Sequence, residues 1–147
     1  MNSLLLSLFV CRLIQVSSFS APNLQWSDFS PAIQKAVSKS PWPEPTPVQT
    51  LFLSTVMERG ENRIQCQAPT GTGKTAAYAL GLLGKKALIL CPSRELAVQV
   101  SDVMQQLSHK QVVTICAGRT TPEFTGFDVC VATPGRLVNV LEQACIN

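Results

Sequence analysis

The sequence predicts an α/β domain with three layers, in which a parallel sheet lies between helices on both of its faces. From residue 63 onward, short apolar segments alternate with segments of helical periodicity, which is typical of right-handed strand–helix–strand units. The strand segments at 86–91 and 128–132 are almost continuously apolar. Strands that are buried on both faces of a parallel sheet have this pattern, whereas half-exposed strands alternate.

Two helices are predicted before this region. Ser30 is expected to cap the first, with Pro31 at the first helical position, where its missing N–H is tolerated. Four prolines between residues 41 and 47 then exclude regular structure until a second helix begins near Pro47. The remaining strands are expected at 64–67, 86–91, 112–116 and 128–132, and the remaining helices at 75–83, 95–107 and 136–144.

The composition is that of one globular domain. The chain has 147 residues, of which 46% are hydrophobic and 14% are charged, so it carries enough apolar surface for a packed core. This composition excludes a disordered tail. The net charge of +3 is too small to indicate a nucleic-acid partner by itself.

The cysteines do not form a metal-binding pattern. Six occur, and no two have the CxxC spacing of a zinc site. We expect those in or next to apolar segments to be reduced core thiols rather than disulfides. The single histidine, His109, lies in a polar stretch and is expected at the surface. The cysteines of the apolar segments are Cys66, Cys91, Cys116 and Cys130.

A glycine-rich segment at 68–75, Ala-Pro-Thr-Gly-Thr-Gly-Lys-Thr, joins a predicted strand to a predicted helix. Gly71 and Gly73 would let backbone N–H groups approach an anion, and the helix N-terminus adds a favourable dipole. Lys74 would reach the β- and γ-phosphates of ATP, and the Thr75 hydroxyl would ligate Mg²⁺. A turn that binds no ligand is the alternative, but the Gly-Lys-Thr ending in this context favours phosphate binding. The other loop positions expected at the nucleotide are Ala68, Thr70 and Thr72.

Three further segments accompany this loop in order: 45–49 upstream, and 92–99 and 133–137 downstream. Together the four segments resemble the DEAD-box family of ATP-dependent RNA helicases, over roughly residues 26 to 140. The resemblance implies the RecA-like fold of P-loop NTPases, with ATP and Mg²⁺ as cofactors and RNA as a partner. Ala68 stands where many phosphate loops have glycine, and alanine is common there in helicases of this class.

The resemblance also implies how adenine would be bound. Gln49 resembles the glutamine that hydrogen-bonds the adenine edge, for which an amide suits because it both donates and accepts. Thr46-x-x-Gln49 is at the same time a capping box for the helix that starts there, and both roles can hold together. An aromatic side chain upstream would stack on adenine, with Trp26 as the first candidate and Phe29 as the second. A plain core aromatic is the alternative for this position.

The resemblance further implies that the two downstream segments hold the RNA backbone. Ser93 and Thr133 are expected to cap helices, whose N-termini would bind phosphates at the carboxyl edge of the sheet. Arg94 and Arg136 would add charge, although Arg94 is as well explained by a structural role. Such contacts carry no base-sequence information. The residues expected at RNA are Pro92, Ser93, Arg94, Gly118, Thr133, Pro134, Gly135 and Arg136.

The Asp-Glu-Ala-Asp motif that the resemblance leads one to expect next does not occur in these 147 residues, so the predicted sheet is incomplete at its C-terminus. That motif holds Mg²⁺ and positions the attacking water, and a second RecA-like domain supplies an arginine finger. We therefore expect this chain alone to bind ATP and RNA without hydrolysis or unwinding. A protein partner that covers the incomplete sheet is expected, and a membrane partner is not. The alternatives are a non-catalytic decoy and a gene-model fragment without a function of its own.

Residues 1–20 differ from the rest, and the domain is expected to occupy residues 21–147. Segment 4–10 is apolar but too short to span a bilayer, and no acidic residue precedes Asp28. The segment would fit a secretory signal cleaved at 18–20, a transit peptide to a mitochondrion or chloroplast, or a non-native start. The secretory interpretation ranks below the other two, because ATP is not supplied outside the cell. We therefore expect an intracellular protein.

Overall fold

The computed structural model describes residues 12–15, 23–59, 64–108, 111–118 and 126–146. Helix α1 begins at Pro31 after Ser30, as predicted, but the Ser30 side chain makes no capping hydrogen bond. A 3-10 turn, Trp26–Asp28, precedes it. The strands are β1 (Arg12–Gln15), β2 (Ile64–Gln67), β3 (Ala87–Leu90), β4 (Val112–Ile115) and β5 (Val129–Ala132). The helices are α1 (Pro31–Val37), α2 (Pro47–Arg59), α3 (Lys74–Gly81), α4 (Arg94–Ser108) and α5 (Pro134–Ile146).

Strands β3, β5 and β4 form a parallel sheet in that order, with β5 in the centre. The register aligns the strand ends, because Ala132 is paired with Leu90 on one side and with Ile115 on the other. Since all three strands run in the same direction, their carboxyl ends lie at one edge. This edge leads into the two segments that are predicted to bind RNA.

Helices α4 and α5 cover opposite faces of this sheet. Val129 and Val131 of β5 pack in the same core cluster as the apolar residues of α4, whereas Cys130 and Ala132 pack with Val140 of α5. Successive side chains of a strand point to opposite faces, so the two helices lie on different sides. The predicted layers, with a parallel sheet between helices, are confirmed for this part of the chain.

Strand β2, which leads into the glycine-rich loop, belongs to a second sheet. It pairs in parallel with β1, from Arg12 opposite Ile64 to Gln15 opposite Gln67. Within the described ranges no strand pairing joins the two sheets, so the single sheet expected from the sequence is divided into two. β1 lies within residues 1–20, which the sequence pattern separates from the domain, and it is therefore an element that the sequence did not predict.

Helices α2 and α3 pack against each other directly behind the loop. Leu53 of α2 and Leu80 of α3 are both buried in the main core. Gly81 allows the close approach of the two helices, because a Cβ at that position would be 3.0 Å from the Phe52 ring. Burying a leucine contributes on the order of 2 kcal/mol. The helix that follows the loop is thus anchored by apolar packing.

The described cysteines are free thiols. Cys91, Cys116 and Cys130 are buried, and Cys66 is half-buried. Burial raises the pKa of the Cys91 and Cys130 thiols above their ordinary value of 9.0. This agrees with the reduced core thiols expected from the sequence, while the prediction for His109 lies outside the described residues.

One face of β3 is open to solvent. Leu88 and Leu90 are 56% and 55% exposed, although they lie within a strand. Their neighbours Ala87 and Ile89 point to the opposite face and pack against the core. In the described part of the chain, none of the helices combines the length and the apolar character needed to cross a bilayer.

Candidate nucleotide site and nucleic-acid interface

The glycine-rich loop runs from the end of β2 at Gln67 to the start of α3 at Lys74. Two of its residues have positive φ, with Gly71 at +81° and Gly73 at +86°. L-residues with a side chain rarely adopt this conformation, so both positions need glycine to make the turn. The loop therefore has the strand–turn–helix geometry that the sequence predicted.

The two glycines differ in their surroundings. A Cβ on Gly71 would meet no atom within 4 Å, so one side of the loop is open. A Cβ on Gly73 would lie 2.5 Å from Nε2 and 3.2 Å from Cδ of Gln49. Gly71 thus leaves the backbone accessible from outside, whereas Gly73 allows close packing inside.

Lys74 lies across the loop. Its Nζ donates hydrogen bonds to the carbonyl oxygens of Ala68 at 2.6 Å and Pro69 at 2.7 Å. Both acceptors belong to the loop itself, so the ammonium group is held at the loop rather than in the surrounding solvent. The ammonium group of Lys74, which is predicted to bind phosphate, therefore lies at the loop.

The N-terminal end of α2, with Thr46 just before the helix and Gln49 in its first turn, supports the loop. The Thr46 hydroxyl donates to the carbonyl of Thr72 at 2.8 Å, and Nε2 of Gln49 donates to the carbonyl of Gly73 at 3.4 Å. Thr46 N–H donates to Oε1 of Gln49 at 2.9 Å, and Gln49 N–H donates to the Thr46 hydroxyl at 3.4 Å. These last two bonds form the predicted capping box. Two residues therefore start a helix and support the loop at the same time.

Gln49 is fully buried, with 0% of its surface exposed. Both ends of its amide are engaged, the oxygen by Thr46 and the nitrogen by Gly73. The structure therefore shows a bracing role that the sequence did not predict, and the adenine contact of Gln49 remains a prediction. The Thr-x-x-Gln spacing gave a signal for the cap, but only the tertiary structure reveals the contact with the loop.

Trp26, the first candidate for stacking on adenine, lies beside a cleft that the glycine-rich loop does not line. Trp26 is half-buried, its indole N–H donates to the Trp42 carbonyl at 3.1 Å, and its ring centroid lies 6.0 Å from that of Phe29. Phe29 is buried in the core. Trp26 and Trp42 line a cleft of about 710 Å³, whose lining does not include Gln49 or the loop. Trp42, a tryptophan between two prolines, is an aromatic that the sequence reasoning did not consider.

Thr75 lies in the first turn of α3 and is half-buried. Its side chain forms a hydrogen bond with Tyr78, one turn further along the helix. Burial raises the pKa of the Tyr78 phenol, and the bond with Thr75 partly opposes this shift. Within the described residues no three His, Cys, Asp or Glu side chains converge as a metal site.

The two predicted RNA segments begin side by side. Cys91 N–H donates to the Ala132 carbonyl at 2.8 Å, so β3 and β5 remain paired up to the start of each segment. Ser93 caps α4, because its hydroxyl accepts the N–H of Leu96 at 3.2 Å. Helix α5 begins at Pro134, directly after β5. The N-termini of two helices therefore lie at the same edge of the sheet.

The turn after β4 joins this edge through Arg94. Gly118 has a φ of +76°, and a Cβ there would lie 2.8 Å from Nη1 of Arg94. The guanidinium group thus packs directly on Gly118, which supports the structural role that the sequence left open for Arg94. Of the remaining predicted residues, Pro92, Ser93, Pro134 and Gly135 are exposed, and Thr133 and Arg136 are half-buried.

Comparisons with known proteins relate this chain to one family of helicases. The sequence profile of the DEAD/DEAH box helicase family matches residues 46–146. The chain is 35% identical over 136 residues to the ATP-dependent RNA helicase SrmB of Haemophilus influenzae, covering 79% of this chain and 30% of SrmB. It is 36% identical over 120 residues to DbpA of Escherichia coli, an ATP-dependent RNA helicase, covering 69% of this chain and 26% of DbpA.

Solved structures show the same relationship. A hypothetical ATP-dependent RNA helicase from Sulfolobus tokodaii is 31% identical, with a TM-score of 0.68 over 79% of this chain and 37% of that one. The RNA helicase Prp28 from Chaetomium thermophilum, solved bound to ADP, is 30% identical, with a TM-score of 0.65 over 83% of this chain and 34% of Prp28. The chain thus spans about a third of the length of these relatives. Because the family profile matches well over half of its residues, the chain belongs to the DEAD/DEAH box helicase family and contains part of a RecA-like helicase domain.

Proposed function

We propose that the chain binds ATP at the loop 68–75 and the backbone of RNA at the carboxyl edge of the β3–β5–β4 sheet. The observation that carries the proposal is the loop itself, in which Gly71 leaves the backbone open and Lys74 is held by two loop carbonyls. Backbone N–H groups at the start of a helix form a site for phosphate. The ammonium group of Lys74 adds a positive charge at the same place.

The residues of the loop also fit a magnesium nucleotide. Thr75 follows Lys74 in the first turn of α3, and its hydroxyl would provide an oxygen ligand for Mg²⁺. The metal, when bound, would neutralise charge on the phosphates. The Prp28 relative, 30% identical to this chain, was solved with ADP, which supports a nucleotide as the ligand.

Recognition of adenine would require a rearrangement around Gln49. Its amide is buried and engaged by Thr46 and Gly73, so it must exchange at least one of these bonds to contact a base. Trp26 is the more accessible of the two aromatic candidates, because Phe29 is buried. We propose Gln49 and Trp26 as the adenine contacts.

The RNA site rests on the two helix N-termini at one sheet edge. Free N–H groups at the starts of α4 and α5 would bind phosphate oxygens, and Arg136 would add charge. Arg94 would act mainly by holding the turn at Gly118. Binding through phosphates predicts little dependence on base sequence.

The test of ATP binding is Lys74→Ala in the 147-residue chain. We expect the Kd for a fluorescent ATP analogue to rise at least about tenfold, because the charge facing the phosphates is lost. Lys86→Ala is the matched control, since Lys86 is exposed and the change in net charge is the same. Equal affinity of the two variants would disprove phosphate binding by Lys74.

The test of RNA binding is the salt dependence of the affinity for a polyuridine RNA of 20 nucleotides. For a single strand, loss of one phosphate contact lowers the steepness of log K against log salt concentration by about 0.7. We expect this change for Arg136→Ala but not for Lys35→Ala, which removes an exposed charge on α1. Identical slopes would place RNA elsewhere.

For the whole protein, we propose the activity of an intracellular ATP-dependent RNA helicase. The present 147 residues carry no Asp-Glu-Ala-Asp segment, so we propose binding without turnover for this chain alone. A protein partner would cover the open face of β3, where Leu88 and Leu90 are exposed. Phosphate release above background in the presence of RNA would contradict binding without turnover.

A further inference from the structure

We propose that β1 is a structural part of the nucleotide site, which positions the start of the glycine-rich loop by pairing with β2. Release of β1 would then weaken ATP binding. The inference rests on the proposed ATP site, and it adds to that site a segment that lies outside the matched family profile.

The register places β1 directly beside the loop. Gln15, the last residue of β1, is paired with Gln67, and Ala68 follows as the first residue of the loop. The Ala68 carbonyl accepts the 2.6 Å hydrogen bond from Lys74 Nζ. A displacement of β2 would therefore move an atom that holds the phosphate-binding ammonium group.

The rest of the described structure holds β2 from one side only. Ile64 and Cys66 are half-buried, whereas Gln65 and Gln67 on the other face are exposed. Among the described strands, β1 is the one that is paired with β2. The position of β2 within the plane of a sheet is thus set by β1.

A pairing of this size is expected to open readily. Each strand has four residues, and an isolated two-stranded sheet is marginally stable in water. When the competent state of a site is only partly populated, the apparent Kd rises by the inverse of its fraction.

The experiment uses the whole 147-residue chain with the substitutions Leu13→Pro and Ile14→Pro together. Proline removes the backbone N–H and disrupts strand pairing. Alternate residues of a strand donate to the same neighbour, so substituting two adjacent residues removes an N–H group directed at β2. Ser17→Pro with Ser18→Pro is the matched control, because these positions follow β1 in the sequence. The measurements are the Kd for a fluorescent ATP analogue and hydrogen exchange of the β2 and β5 amides without nucleotide.

We expect the β1 variant to bind ATP about tenfold more weakly or worse, and to lose amide protection in β2 while β5 keeps it. The control should match the unmodified chain. Unchanged affinity with unchanged protection of β2 would overturn the proposal. If the unmodified chain itself fails to bind ATP, the proposed function fails, and the exchange of the β2 amides alone decides whether β1 orders this strand.

A second form of the experiment covers the case in which the proline variant does not fold. A protease site is placed at 18–20 of the full chain, and the protein is cut after folding. Loss of ATP affinity and of β2 protection after the cut supports the proposal. Retention of both after β1 has been separated by size exclusion refutes it.

Discussion

Gly73→Ala gives a sharp test of how the loop is supported. Gly73 has a φ of +86°, and an alanine in a left-handed conformation costs roughly 1–2 kcal/mol. Its Cβ would also be 2.5 Å from Nε2 of Gln49, so the buried amide must move and lose hydrogen bonds, which costs about 1–3 kcal/mol more. We expect a total loss of about 2–5 kcal/mol in the free energy of unfolding.

Gly71→Ala is the matched control for the backbone contribution. Its φ of +81° is nearly the same, but a Cβ there would meet no atom within 4 Å. We therefore expect a loss of only about 1–2 kcal/mol. Urea denaturation followed by circular dichroism, without nucleotide, gives both values from the midpoint and slope.

The difference of about 1–3 kcal/mol between the two glycine variants measures the contact with Gln49. In a Gln49→Ala background this difference should largely disappear, since the amide is no longer there to be displaced. Equal destabilisation by Gly73→Ala and Gly71→Ala in the unmodified chain would refute the bracing role of Gln49. It would leave the loop held by its own backbone alone.

Two further predictions concern the core. Ser101→Ala should cost about 1–3 kcal/mol, because it leaves the buried Thr114 hydroxyl without the partner that lies 2.6 Å away. Adding Thr114→Val should cost less than the sum of the two single changes, and additive losses in urea denaturation would contradict the coupling. Stability should also fall as the pH rises above 9.0, the ordinary pKa of a thiol, because burial raises the pKa of Cys91 and Cys130 in the folded state. The thiols of the unfolded chain then lose their protons at a lower pH than those of the folded protein. The stabilisation by the protonated thiols is therefore complete below pH 9.0 and is lost as the pH rises through the folded pKa values. Cys91→Ser should weaken the pH dependence of the melting temperature, and an unchanged pH dependence would refute this cause.

Local patterns in the sequence were sufficient for most of the elements. Helix α4 begins at Arg94 and α5 begins at Pro134, where the predicted caps Ser93 and Thr133 place their starts, and these starts lie one and two residues before the periodic apolar segments. Both differences follow from chemistry at helix ends, where the cap and the first-turn proline extend the helix beyond its periodic apolar part. The Thr46–Gln49 capping box was predicted and is confirmed by reciprocal hydrogen bonds.

The sequence alone was sufficient to predict the glycine-rich loop. A turn with two positive φ angles needs glycine at both positions, and Gly71 and Gly73 have this spacing. The tertiary structure decided which groups meet that loop. Gln49 contacts Gly73, Arg94 packs on Gly118, and β1 pairs with β2, all across separations of 24 residues or more. Contacts of this kind depend on how whole helices and strands pack, and no local preference of the chain encodes them.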